Sequence, residues 1–156
     1  MGKITARRLR ALLDYDSHTG RFTWRVGRGR ARKGDIAGTL TTKGYRQIKV
    51  GQHFYTAGPL AFLWMTGKWP PKIIDHVNMK PDDNRWSNLR KSTHSQNHAN
   101  GRGKGFTWDR RTKRYQAQIK VNYRSIHLGR FKTAKAARAA YLAAARKYFG
   151  EFAQAK

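Results

Sequence analysis

Residues 73–98 read IIDHVNMKPDDNRWSNLRKSTHSQNH, and the order of residue types in this segment predicts two short strands joined by a loop. An apolar pair at 73–74 leads into Asp75-His76, which places the acid and the histidine at the end of the first strand. Residues 88–90, Asn-Leu-Arg, suit a second short strand. The second strand would bring Asn88 close to the Asp-His pair.

A helix after the second strand completes the unit. Ser92 or Thr93 can cap it, because such side chains accept hydrogen bonds from the unpaired backbone N–H groups of a first helical turn. The helix would carry Asn97. The segment therefore predicts a β-loop-β-helix unit in which an aspartate, a histidine and two asparagines, Asn88 and Asn97, converge.

These residue types suit hydrolysis of a phosphodiester bond. Carboxylate and amide oxygens are hard ligands of the kind that Mg²⁺ takes, and Mg²⁺ keeps several waters of its own. A histidine, whose ordinary pKa is about 6.5, can take a proton from water near neutral pH. An amide can hydrogen-bond an imidazole and fix its orientation, and a cation beside the scissile phosphate stabilises the leaving oxygen.

The composition points to a polyanionic partner. The 156-residue chain holds 34 Lys and Arg against 8 Asp and Glu, a formal net charge of +26, whereas a small domain usually carries a magnitude of about 2–8. Nucleic acid is favoured over an anionic membrane, because 12% aromatic residues indicate a folded chain and no apolar run approaches the ~18–20 residues of a membrane span. The absence of cysteine excludes a Cys nucleophile, a disulfide scaffold and a Cys-based zinc site.

The charge is distributed unevenly over three predicted regions. Residues 1–57 hold 13 basic and 3 acidic residues, residues 58–100 hold 6 and 3, and residues 101–156 hold 15 and 2. Three glycines within residues 101–105 mark the boundary before the last region. We expect the two ends to contact a polyanion and the nearly balanced middle to hold the chemistry.

Coarse patterning predicts a mixed α and β chain. The first two regions are expected to contain a helix at 5–13, a strand at 21–25, a hairpin at 45–56 and a helix at 60–66. The last region is expected to contain strands at 106–108, 114–121 and 124–129, then a helix from Thr133 to about residue 148. The apolar side of this sheet would pack on the Ala-rich helix, which leaves the amide-bearing and basic side open.

Two basic surfaces are candidates for DNA contact. The first is a loop that carries Arg28, Arg30, Arg32 and Lys33. The second is the open side of the last sheet with its neighbouring residues: Arg110, Arg111, Arg114, Gln116, Gln118, Lys120 and Arg124. A sheet can enter a DNA groove, where Lys and Arg hold phosphates and a glutamine amide can read adenine.

The middle region resembles the HNH family of homing endonucleases, the ββα-metal group common in phages. The resemblance is carried by Asp75-His76, by Asn88 and Asn97 at twelve and twenty-one residues after the histidine, and by the phrases DHVN and DNRWSNLR. It implies that His76 is the general base, that Asp75 and Asn97 hold Mg²⁺ (with Mn²⁺ as a substitute), and that Asn88 positions the histidine. The implied reaction is nicking of duplex DNA to 5′-phosphate and 3′-hydroxyl ends.

The resemblance extends over nearly the whole chain. Residues 103–152 are similar to an AP2-type DNA-binding domain, on residues that include Trp108, Tyr115, Leu128-Gly129 and Tyr141. The regions then become a DNA-contacting segment at 1–57, an HNH ββα-metal core at 58–100 and an AP2-like domain at 101–156, with an α+β fold. We also expect a monomer without membrane association or a small-molecule cofactor, located in the cytoplasm of a phage-infected bacterium.

The chain departs from the family pattern at one place. Members usually show a His-Arg pair where this chain has Gly58-Pro59, and we expect that restoring the pair raises cleavage. Two other functions stay open. The first is a DNA-binding protein with weak or no nuclease activity, such as a regulator, and the second is an RNA-binding protein.

Overall fold

The computed structural model describes residues 3–99 and 103–153. The chain forms two compact units, residues 1–91 and 92–156. The described ranges contain four α-helices and four small sheets of two or three strands, which confirms the α+β class. No helix in these ranges is long and apolar enough to cross a membrane.

The first unit alternates short strands with two helices. Its elements are α1 (Ala6–Leu12), β1 (Leu13–Asp16), β2 (Arg21–Trp24), β3 (Thr39–Leu40), β4 (Arg46–Val50), β5 (His53–Thr56), α2 (Ala57–Thr66), β6 (Ile73–His76) and β7 (Leu89–Ser92), whose last residue reaches the second unit. A 3₁₀ turn at Trp86–Asn88 precedes β7. Strand β1 pairs with β2, β4 pairs with β3 and β5, and β6 pairs with β7.

Helix α2 lies at the centre of the first unit. Its sequence, AGPLAFLWMT, contains no charged residue, and Leu60, Ala61 and Leu63 are almost completely buried. An α-helix that is apolar on all sides is stable only inside a core. Helix α2 packs against α1, β4, β5 and β6, so the strand that carries Asp75-His76 rests on this core.

The second unit is a three-stranded sheet covered by one long helix. Its elements are α3 (His94–Ala99), β8 (Phe106–Asp109), β9 (Arg114–Val121), β10 (Arg124–Phe131) and α4 (Ala134–Phe149), followed by a 3₁₀ turn at Gly150–Phe152. Strand β9 is central and antiparallel to both neighbours. Thr133 caps α4 by accepting a hydrogen bond from the backbone N–H of Ala136 at 3.2 Å, as the sequence predicts.

Several predicted boundaries differ from the structure. Helix α1 ends at Leu12, because Leu13 is extended and begins β1. The sequence Leu13-Asp14-Tyr15-Asp16 alternates buried and exposed residues, which is a strand pattern that the leucine stripe obscured. Strand β3 was also not predicted, and α2 begins at residue 57 rather than 60.

The described units cut across the predicted middle region. Strands β6 and β7 belong to the first unit up to Lys91, whereas α3 belongs to the second. The glycine-rich segment at 101–105 lies outside the described residues up to position 102. The three functional regions, 1–57, 58–100 and 101–156, remain a prediction.

Candidate active site

The predicted Asp-His pair lies at the end of β6. The side chains of Asp75 and His76 are only 5% and 7% exposed. The backbone N–H of Val77 donates to the carbonyl of Asn88 at 2.9 Å, which ties the end of β6 to the start of β7. The β-loop-β part of the predicted unit is therefore formed, and both polar side chains are held inside it.

Arg90 of β7 balances the charge of Asp75. Its guanidinium Nε lies 3.0 Å from Oδ2 of Asp75, and the arginine side chain is 13% exposed. A buried carboxylate is stabilised by a cation and by hydrogen bonds. Arg90 supplies the cation for Asp75.

The imidazole of His76 contacts an amide from the loop. Its Nε2 lies 3.2 Å from Oδ1 of Asn84, and the Nδ2 of Asn84 donates to the carbonyl of Asp82 at 3.1 Å. This second bond fixes which end of the amide is the oxygen, so the amide presents an acceptor to Nε2 and favours a proton on that ring nitrogen. The edge of the Tyr45 ring approaches the imidazole, with 6.0 Å between ring centroids.

Asn88 organises the loop that joins β6 to β7. Its Nδ2 donates to Oδ1 of Asn78 at 3.0 Å and to the carbonyl of Asp83 at 2.7 Å. Its Oδ1 accepts a hydrogen bond from the backbone N–H of Asn78 at 3.0 Å. These bonds give Asn88 a role in shaping the loop, and its predicted role toward the histidine stays a prediction.

The two loop carboxylates bind arginines. Asp82 forms two hydrogen bonds with the guanidinium of Arg46, at 2.9 and 3.1 Å. Asp83 forms two with Arg85, at 2.8 and 2.7 Å, and accepts another from Asn78. The Arg85 bond, with help from Asn78, lowers the pKa of Asp83 to about 2. Both carboxylates therefore stabilise the loop between β6 and β7 through their ion pairs with arginines.

Asn97, the other predicted metal ligand, lies in α3 of the second unit. Thr93 caps this helix, because its Oγ1 accepts from the N–H of Gln96 and its own N–H donates to Oε1 of Gln96, at 3.2 and 2.8 Å. This reciprocal pair is a capping box. Of the two predicted capping residues, Thr93 rather than Ser92 therefore caps α3.

The donor types fit a small divalent cation. Asp75 offers a carboxylate oxygen and Asn97 an amide oxygen, and Mg²⁺ needs few protein ligands because it retains water. Within residues 3–99 and 103–153, no group of three or more His, Cys, Asp or Glu side chains is placed to hold a metal ion.

Gly58 lies directly beneath this site. It is buried in the first turn of α2, where a Cβ would lie 3.4 Å from Cγ2 of Ile74 and 3.5 Å from Oδ1 of Asn84. A methyl group fits at these distances, but a longer side chain would have to displace the Asn84 amide from its place against the imidazole. The glycine at position 58 therefore leaves room for the Asn84 amide, and the contact of that amide with His76 depends on this small residue.

The predicted basic loop of the first unit is exposed. Arg28, Arg30, Arg32 and Lys33 all lie at the surface. The loop is stabilised by backbone hydrogen bonds between Arg28 and Ala31, at 2.8 and 3.0 Å. The guanidinium of Arg28 also lies over the ring of Trp24, 5.7 Å from its centroid. The loop therefore presents exposed basic side chains on a backbone that is held by hydrogen bonds.

The open side of the second unit's sheet carries the predicted polar row. On β9, Gln118 and Lys120 are exposed, while the alternate residues Ala117 and Ile119 are buried beneath α4. Cross-strand partners share a face, so the following residues lie on the open side: Arg114, Gln116, Gln118, Lys120, Ser125, His127 and Arg130. Arg110 and Arg111 lie in the β8–β9 turn, and Arg124 pairs with Val121, on the other face.

Three contributors to these sites were not identified from the sequence. Asn84 lies in the predicted loop between the two strands, yet its side chain is buried against His76. Arg90 was interpreted as a strand residue, and Arg130 was not selected. The two-residue alternation of β10 could have indicated Arg130, but a bulge between His127 and Gly129 shifts the register. Nothing in the local pattern distinguishes Asn84 from other loop asparagines.

A comparison with protein families agrees with this geometry. A model of the HNH endonuclease family matches residues 59–99. The match begins in α2 and spans β6, β7 and α3, so it contains the Asp75-His76 pair and also Asn84, Asn88 and Asn97. No curated protein and no solved structure matches the chain. The HNH endonuclease domain supports a nuclease that acts on DNA.

Proposed function

We propose that this protein is a metal-dependent HNH endonuclease of the homing type that nicks duplex DNA. The observation that carries the proposal is the buried Asp75-His76 pair at the end of β6, with an amide oxygen held against Nε2 of the imidazole. This arrangement lies within the range matched by the HNH family model. A charge of +26 supplies the attraction for the polyanionic substrate.

His76 acts as the general base. Because Nε2 donates to Asn84, Nδ1 holds the lone pair that accepts a proton. A water gives this proton to Nδ1 while its oxygen bonds to phosphorus. The bond from phosphorus to the 3′-oxygen breaks, and that oxygen takes a proton from solvent. The products carry 5′-phosphate and 3′-hydroxyl ends.

Asp75 and Asn97 would hold the cation, with Mg²⁺ as the expected ion and Mn²⁺ as a substitute. When bound, such a cation stabilises negative charge on the phosphate and on the leaving oxygen. Arg90 forms an ion pair with Asp75 beside this position. In the proposed mechanism, His76 therefore accepts the proton, and Asp75 helps to hold the cation that would stabilise the negative charge.

The basic surfaces of the two units would bind the duplex. The loop with Arg28 contributes from the first unit, and the open face of the second unit's sheet acts as the AP2-like DNA reader. The chain would act as a monomer in a phage-infected bacterial cytoplasm.

Nicking of supercoiled plasmid tests the proposal. The wild-type chain should nick in Mg²⁺ or Mn²⁺ and not in EDTA, while His76→Ala should bind DNA but lose cleavage by at least roughly 10²-fold, the usual contribution of a general base. Cleavage by His76→Ala at the wild-type rate would show that His76 is not the base.

A DNA-binding protein with weak catalysis is the second candidate. Gly58 favours it, since the buried glycine leaves no side chain where family members usually have histidine. Sequence-specific binding by the wild-type chain, together with the absence of nicking in either metal, would establish this second function.

A further inference from the structure

We propose that Asn84 is a positioning residue for His76, and that the turn of the β1–β2 hairpin holds Asn84 in place. This inference rests on the proposed function for its catalytic consequence. Its structural content is separate: the N-terminal hairpin sets the proton arrangement on the imidazole. The residues that carry it lie in the first unit.

The Asn84 side chain is locked on both sides. It is 1% exposed, and the two ends of its amide face different partners, the imidazole of His76 and the carbonyl of Asp82. A rotation of the amide by half a turn would place its oxygen against the carbonyl oxygen of Asp82. A repulsive contact would replace that hydrogen bond, so the amide presents its oxygen to Nε2 as an oriented acceptor.

The hairpin contacts the backbone of the same residue. The hydroxyl of Tyr15 in β1 donates to the carbonyl of Asn84 at 2.7 Å. Two residues further on, the N–H of Trp86 donates to the carbonyl of Ser17 in the hairpin turn at 3.0 Å. Burial raises the pKa of Tyr15, so the hydroxyl keeps its proton and remains a donor throughout the neutral range.

Gly20 makes this approach possible. Its φ is +72°, and a Cβ built on it would lie 2.3 Å from both the backbone nitrogen of Arg85 and the carbonyl carbon of Asn84. These are backbone atoms, which cannot move aside as a flexible side chain can. The hairpin turn therefore packs directly on the peptide bond that follows Asn84, and any side chain at position 20 separates the two.

The ring nitrogens of His76 provide the direct test. In ¹⁵N-histidine-labelled protein, His76 is assigned by the signals lost in His76→Gln. The wild-type chain should show the Nε2–H form, and Asn84→Ala should show a mixture of both neutral forms. Asn78→Ala removes another hydrogen-bonded amide from the same loop and should keep the Nε2–H form. The same spectrum in wild type and Asn84→Ala overturns the proposal.

Asn84→Asp provides a variant of nearly the same shape. Its carboxylate keeps an acceptor oxygen at the position of Oδ1, so Nε2 of His76 should keep its proton in the nitrogen spectrum. In Asn84→Ala, kcat should fall by at least roughly tenfold, part of the contribution of a general base. KM should stay unchanged because Asn84 is buried. A change in KM with an unchanged kcat contradicts a positioning role.

Gly20→Ala tests the hairpin. It should disturb the His76 signals as Asn84→Ala does, whereas Gly51→Ala should not. Gly51 is the matched control, because it has a φ of +64° in the β4–β5 turn and a Cβ on it would have no atom within 4 Å. Wild-type His76 signals in Gly20→Ala would remove the hairpin from the proposal. Absence of cleavage by the wild-type chain would contradict the proposed nuclease, while the nitrogen spectra still decide this inference.

Discussion

Position 58 shows how one residue constrains the chemistry of the site. The family pattern predicts that a His-Arg pair at 58–59 raises cleavage, because family members usually have one. In the structure, Gly58 is buried, and a Cβ built on it would lie nearest to Cγ2 of Ile74 and Oδ1 of Asn84. A large side chain at this position competes with the amide that contacts His76.

We therefore expect Gly58→His to lower nicking and to destabilise the first unit, in contrast to the expectation from the family pattern. Gly58→Ala is the matched control. Its methyl group meets ordinary contacts of 3.4–3.7 Å, and alanine is favoured over glycine in a helix by about 0.5–1 kcal/mol. This variant should unfold at a higher urea concentration and retain its cleavage rate. Faster nicking by Gly58→His would show that Asn84 can yield its place.

Asp83 gives the loop a defined dependence on pH. Its pKa is about 2, below the ordinary 3.8, mainly because of the hydrogen bonds from Arg85. A carboxyl whose pKa is lower in the folded state contributes stability that is present above pH 3.8 and disappears as the pH falls through 2. The contribution is moderated by solvent, since the Arg85 side chain is half exposed.

Asp83→Asn should consequently flatten the decline in stability of the first unit between pH 4 and 2. Urea unfolding followed by tryptophan fluorescence at several pH values measures this decline. Arg85→Gln removes the partner instead of the acid and should flatten the same interval to a smaller degree, because Asn78 still binds Asp83. Parallel curves for wild type and Asp83→Asn would contradict the assignment.

The site residues that could be predicted from the sequence have neighbours that lie close to them in sequence. The residues that could not be predicted have neighbours that lie far away in sequence. Asp75, His76 and Asn88 lie next to strands whose apolar pattern is local, so their place at strand ends was predictable. The Asn84 contact depends on Tyr15 and Gly20, which are more than sixty residues away in sequence. Single-sequence patterning carries no signal for such a contact. The resemblance to the HNH family implies roles for the residues of its motif, but it does not include the contact between Asn84 and His76.

At the scale of elements, the β9–β10 hairpin has a strained turn. Asn122 and Tyr123 both have positive φ values, 47° and 66°. Asparagine adopts this conformation readily, whereas for other side chains it costs about 1 kcal/mol. Tyr123 is also 76% exposed, so little burial of its ring compensates for the strain.

Comparison of two variants isolates this strain. Tyr123→Ala removes the ring and keeps the Cβ in the unfavourable conformation, while Tyr123→Gly removes both. We expect the glycine variant to be more stable than the alanine variant by about 0.5–1 kcal/mol, the αL penalty less the extra chain entropy of glycine. Calorimetry of the two variants measures the difference. A more stable alanine variant would show that the turn imposes no strain at position 123.

Elements with a clear local period were predicted well, and elements stabilised by pairing were not. Strand β9 and helix α4 follow long alternating and helical patterns, and their observed ranges agree with expectation. Strand β3 has two residues and exists through its pairing with β4. Strand β1 begins at a leucine that also continues the helical stripe, and its pairing with β2 decides the conformation. Tertiary context, which the sequence pattern does not contain, resolved both cases.

At the scale of the whole molecule, the charge determines how binding should respond to salt. Lysine and arginine residues that touch phosphates displace condensed counterions, so log K falls with log salt by roughly 0.9 for each contact with duplex DNA. The open sheet face of the second unit carries Arg114, Lys120 and Arg130. Helix α4 packs on the opposite face and carries exposed cations of its own at Lys135, Arg146 and Lys147.

Two triple variants with the same net charge therefore distinguish direct contact with phosphates from the general attraction between a basic protein and DNA. Replacing Arg114, Lys120 and Arg130 by glutamine should reduce the salt slope by up to roughly 2.7 if all three touch phosphates. Replacing Lys135, Arg146 and Lys147 by glutamine removes three charges from the helix side and should leave the slope nearly unchanged. Both slopes are measured by titrating binding to one duplex at several salt concentrations. Equal slopes for the two variants would show that the sheet face makes no special contact, and the AP2-like interpretation of the second unit would then fail, because that interpretation requires the face to lie against DNA.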